Sequence, residues 1–192
     1  MIQISMTVEQ FLEQRGEMPE GGQWAELIAG VPVFLEPPDV DHGTVVLNLS
    51  KALAGYFHSQ PSGYAAFDLG LHLARQPDTV LFPAISLFQG GPRFAETDNE
   101  VAASIPEVVV DIHSTPDRRE KARERVAQIL AYGVQSVWGG DPRQQRVRIE
   151  TRTADGITIR ELSASEIIDE IPGCPGLRIA AEALFVVPEW SR

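Results

Sequence analysis

The stretch PEVVVDIHSTPDRREKARERVAQILAYGVQSVW, residues 106–138, decides the fold. Three valines after Glu107 read as a strand over 107–113, and a helix follows from about 117 to 132, stopped by Gly133. VQSVW, at 134–138, is a second short strand. Strand, helix, strand is a βαβ-like unit, and it predicts an α/β or α+β core with a sheet flanked by helices. The first strand ends unusually for a buried run. Alternation puts Glu107, Val109, Asp111 and His113 on one face and Val108, Val110 and Ile112 on the other. An acid and an imidazole thus stand at the strand's C-terminal end, where open α/β sheets gather their ligands. From the residues alone, Asp111 is a site residue, a cap for the next turn, or the partner of a nearby arginine.

In the helix, Ala122, Val126, Ile129 and Leu130 make the apolar stripe, and Arg125 lies three and four residues from Ala122 and Ile129. A helix packed on the strand would bring this guanidinium towards Asp111, either as a phosphate-facing cation or as a partly buried ion pair.

Working outward, TVEQ at 7–10 has the form of a capping box, with Thr7 as N-cap of a helix over 8–15. WAELIAGVPVFLEPP, 24–38, reads as two short strands turning at Ala29-Gly30. Val45, Leu49, Leu53, Tyr56 and Phe57 follow helical spacing, with Asp41 as the cap, and the PSG at 61–63 ends that helix. YAAFDLGLHLA (64–74) and TVLFPAISLF (79–88) are strand candidates, and Pro83 argues for a bulge or an edge. Residues 89–105 form a long polar loop, and its ETDNE segment reads as solvated because it lacks the spacing of a calcium loop. QRVRIETR and ITIREL form a hairpin turning at Ala154-Asp155-Gly156, and PGLRIAAEALF closes with a turn and short helix. Asp68 and His72, either side of Gly70, are stray ligand candidates, and Cys174 in PGCPG is a loop residue.

The chain has 192 residues, and the expectation is one domain over 1–192. No apolar stretch approaches the roughly 20 residues of a membrane-spanning helix, the N-terminus has no signal-like pattern, and one cysteine excludes an internal disulfide framework. A reducing cytoplasm is the expected location, with no membrane contact. The net charge is −11, yet ten of sixteen basic residues lie between 118 and 160 with only five acids, a local excess of +5. An acidic chain is a poor non-specific binder of nucleic acid. The basic stretch is either a solvated helix face and hairpin or a contact for phosphate.

The segments WAELIAGVPVFLEPPDVDHGTVVLNL, DTVLFPAISLF, PEVVVDIHSTPDRREKARERVAQILAYGVQSVWGGDP and PGLRIAAEALF, in that order, resemble the putative restriction endonuclease family of the PD-(D/E)XK nuclease superfamily. The resemblance runs from Thr7 to Phe185. It implies a restriction-endonuclease-like core, a central mixed sheet flanked by helices, with an extra N-terminal hairpin and a C-terminal β-hairpin. It also implies a DNA endonuclease in which acidic residues hold Mg²⁺ or Mn²⁺. On that pattern Glu26 matches the early glutamate, Asp111 the strand acid and Arg125 the helix lysine. His113 stands two after the acid, and His42 matches a histidine common at that helix start. The family's "PD" aspartate falls on Ala84, which cannot ligate a metal. The implied catalytic set is therefore Asp111, Glu26, Arg125 and His113, with Glu26 and Asp111 as metal ligands and the central one missing.

Two functions follow. One is a divalent-metal endonuclease with a degenerate site and impaired or absent activity, using Mg²⁺ or Mn²⁺ if active and no cofactor otherwise. The other is a non-catalytic binding or interaction module. A weak DNA contact and a homodimer are the expected partnerships.

Overall fold

A computed structural model describes residues 5–188. Helix α1 spans Val8–Arg15, closed by the capping box in which Thr7 Oγ1 accepts from Gln10 N and Gln10 reaches back to Thr7 N. Strands β1 (Ala25–Ile28) and β2 (Val31–Phe34) form the first hairpin, and α2 covers Val40–His58. Four strands follow: β3 (Tyr64–Phe67), β4 (Leu71–Ala74), β5 (Thr79–Leu81) and β6 (Ile85–Phe88). Then come β7 (Val108–Ile112), α3 (Pro116–Tyr132), β8 (Ser136–Asp141), β9 (Arg146–Thr153) and β10 (Gly156–Ser163). β11 (Ile167–Ile168) and β12 (Ile179–Ala180) make a small terminal ladder, followed by a 3-10 turn over Ala181–Leu184.

The central sheet has six strands in the order β10-β9-β8-β7-β6-β3, mixed because β7 and β8 are parallel and the other pairs antiparallel. Both faces of β7 are buried, including the one that carries Asp111. Val108, Val110 and Ile112 pack with Val45, Leu49 and Leu53 of α2. Val109 packs with Val126, Ile129 and Leu130 of α3, and there Leu71 and Leu81 join from a second sheet. That sheet has four strands, β2-β1-β5-β4, and α1 covers it through Phe11, Leu27 and Val80. Among the described residues no helix is long and apolar enough to cross a membrane.

Four expectations are corrected. Each candidate strand at 64–74 and 79–88 is in fact two strands lying in different sheets, because the chain turns a corner within it. The first turns at Asp68, whose φ is +49°, and the second at Pro83. Pro83 has no N–H to give a ladder, and Phe82 N donates to Glu26 Oε1 at 3.0 Å instead. Pro83 thus marks a crossover between sheets, not an edge or bulge. The cap of α2 is Asp39, whose Oδ1 accepts from His42 N at 2.9 Å, while Asp41 lies inside the first turn. Glu96, in the loop expected to be solvated, is buried and gathers the loop around itself. Its carboxylate accepts from Asn99 Nδ2, Ala103 N, Ser104 N and Ser104 Oγ at 2.6–3.1 Å. Cys174 lies in its loop as expected, but fully buried against the core. Burial pushes its thiol up to about 11.

Candidate active site

The two corners meet beside the C-terminal end of β7, and the site is built there. Glu26 comes from the middle of β1, Asp111 from the end of β7 and Arg125 from the middle of α3, and all three are at most 4% exposed. Arg125 ties them together. Its Nε and Nη2 donate to Asp111 Oδ2 and Oδ1 at 2.8 and 3.1 Å, a two-pronged pair, and its Nη1 donates to Glu26 Oε2. The other Glu26 oxygen holds the Phe82 amide, so β1 is fastened to the corner at Pro83. Burial by itself would raise the Asp111 carboxyl. The charge of Arg125 and the contact with His113 outweigh it and hold the group well below the usual carboxylate range. Burial likewise opposes the charge on Arg125, but Asp111 and Glu26 hold its pKa above that of a free guanidinium.

His113 follows Asp111 at the strand's end, and its Nε2 lies 3.4 Å from Asp111 Oδ2. The ring has room only because position 139 is glycine. A Cβ on Gly139 would stand 2.8 Å from His113 Cε1.

Beside the ion pair is a cavity of about 20 Å³, room for a single water. Ala84, Asp68, His42 and Arg118 share it with Glu26 and Asp111. Burial raises the Asp68 carboxyl, against the charges of Arg15 and Arg118. Burial and the charge of Arg118 lower His42 to about 4, so this imidazole is neutral at pH 7. His42 Nδ1 and Arg118 Nε are both buried without a hydrogen-bond partner among the described residues. His72 is not part of the site, since it pairs with Asp78 at 3.3 Å.

Arg118 escaped the sequence reading. It is 6% exposed, donates from Nη2 to Glu36 O at 3.2 Å and faces the same cavity. The available signal was its spacing of seven residues from Arg125, which puts both on one helix face.

Hard divalent cations need several oxygen ligands in open reach. Here the Asp111 and Glu26 carboxylates are both engaged by Arg125, Ala84 offers no ligand, and no cluster of three His, Cys, Asp or Glu side chains among the described residues has the arrangement to hold a metal. In this arrangement the residues do not fit a divalent cation.

No curated protein matches the chain. The fold is shared with a crystal structure described as a putative nuclease belonging to DUF820 from Anabaena variabilis, with a TM-score of 0.74 and 19% sequence identity. The match covers 94% of this chain and 97% of that one, and at such identity the likeness speaks for the fold. The sequence profile described as Putative restriction endonuclease matches residues 8–182, and the chain belongs to that family.

Proposed function

We propose that this chain keeps a nuclease fold around a site in which Arg125 stands where a divalent cation would act, so that metal-dependent DNA cleavage is lost or strongly reduced. The protein then serves as a binding module, working as a homodimer. The observation that carries this reading is the engagement of both retained carboxylates, Asp111 and Glu26, by one buried guanidinium. With Ala84 in place of the family's aspartate, the site lacks the ligand that would compete with that ion pair for a metal. Arg125 stays protonated and so cannot serve as a base. In this reading Glu26 and Asp111 position Arg125, and His113 rests against Asp111 without a proton to move.

The test is calorimetric titration of Mn²⁺ into the wild type, Ala84→Asp and Ala84→Asp/Arg125→Lys, with supercoiled-plasmid cleavage measured in parallel. The wild type should show neither binding heat nor cleavage, and the double variant should gain at least binding. Wild-type cleavage that requires Mn²⁺ and vanishes in Asp111→Ala would sink the reading and restore the endonuclease.

A further inference from the structure

The richest unassigned site lies on the other side of His113, in a cleft of about 280 Å³ between the start of α3 and the outer face of β8 and β9. Its walls collect four arginines of the basic stretch: Arg119 and Arg123 from α3, Arg146 and Arg148 from β9. Their states differ. Arg148 is consumed, because its Nε and Nη1 donate to Glu150 and Glu161 at 2.7 and 2.5 Å. One guanidinium offsets only one of these two carboxylates, and the remaining acid, Asp141, caps the following turn by accepting from Gln144 N at 3.1 Å, so four arginines face three acids in the cleft. Arg119 spends Nη1 on the backbone oxygens of Ser114 and His113, which leaves its charge uncompensated. No side chain or backbone oxygen among the described residues accepts from the guanidinium of Arg123 or Arg146.

We infer that this cleft binds the phosphate of a small phosphomonoester between Arg123 and Arg146. Two planar guanidinium forks reaching in from opposite walls match the several oxygens of a tetrahedral dianion. Ala122 and Val126, one helical turn apart on α3, give an apolar wall for the organic part, and the His113 ring, seated over Gly139, lines the floor. The rest of the molecule argues for a small ligand. Outside residues 118–160 the chain is strongly acidic, so a long polyanion such as duplex DNA would meet repulsion beyond the cleft, whereas a small anion would not. The His113 ring stands between the cleft and Asp111, so an occupant would be sensed at the Arg125 ion pair without entering it.

The test uses the whole chain with four probes: a 5′-mononucleotide, its nucleoside, inorganic phosphate and a short DNA duplex. Binding is followed by calorimetry and by the His113 ring Cε1–H resonance. The mononucleotide should bind and move that resonance, and the nucleoside should do neither. Arg123→Ala and Arg146→Ala, both exposed positions, should each weaken binding by about tenfold or more. Arg143→Ala, which removes the same charge from the neighbouring turn, should leave it within about twofold. An equal loss in Arg143→Ala, equal affinity for inorganic phosphate, or tight duplex binding without mononucleotide binding would each overturn the assignment. So would an unmoved His113 resonance. None of these outcomes involves a metal, so failure here leaves the reading of the Arg125 site intact.

Discussion

Arg125 is the residue on which the site turns, because among the described residues it is the one cation bonded to two carboxylates that are otherwise shut away from water. Removing one partner of a buried pair strands the others, so Arg125→Ala should cost about 3–5 kcal/mol in urea denaturation. A loss below about 1 kcal/mol would mean that water or a rearranged side chain compensates the two acids. His42 supplies the acid limb of stability. Its pKa falls from 6.5 in the unfolded chain to about 4 in the fold, so the unfolded state binds the extra proton between those values. The contribution is complete above pH 6.5 and disappears as the pH falls towards about 4, and it is on the order of 2 kcal/mol for a partly exposed ring. His42→Gln should therefore flatten the stability profile in that window. Asp111, with its pKa lowered, keeps its own contribution down through the ordinary carboxylate range and loses it only in stronger acid.

At the level of elements, two different devices hold the corners and the loop. The corners at Asp68 and Pro83 pass the chain from one sheet to the other, and they bring β1, which carries Glu26, within reach of α3. The loop from 89 to 105 has no apolar core of its own, and the buried carboxylate of Glu96 replaces one by collecting four donors from Asn99, Ala103 and Ser104. Tyr64 Oη accepts from the Glu96 amide at 3.2 Å and ties the loop to β3. Glu96→Ala should release this segment at a cost of about 2 kcal/mol or more. Limited proteolysis should then cut between 90 and 104 much faster than in the wild type, with the βαβ unit still protected. Cleavage spread evenly over the chain would point instead to global destabilisation.

On the scale of the molecule, the edge of the six-stranded sheet is the best place for a second copy. Among the described residues β10 pairs only with β9, and Ile157 and Ile159 on it are 54% and 51% exposed. An unpaired edge bearing exposed apolar residues is a template for edge-to-edge pairing, and antiparallel pairing of β10 with itself has the two-fold symmetry of a dimer. The homodimer we propose should form there. Sedimentation velocity should find a dimer for the wild type and a monomer for Ile157→Lys/Ile159→Lys. A wild-type monomer at all accessible concentrations would remove the dimer from the reading.

Local rules carried much of this protein in its sequence. The capping box at Thr7, the hairpin at Ala29-Gly30, the βαβ unit and the two-faced burial of β7 all rest on spacings of two to four residues, which any isolated stretch displays. The neighbourhood of Asp111, Glu26, Arg125 and His113 was legible through the family pattern. The rest depended on contacts between distant segments. Strand spacing is the same within one sheet or across two, so nothing local shows that 64–74 and 79–88 each change sheet. Glu96 reads as solvated until the chain folds its donors around it. Above all, Glu26 and Arg125 stand 99 positions apart. That their charges meet in a closed pair is decided only when β1, β7 and α3 pack and exclude water from between them.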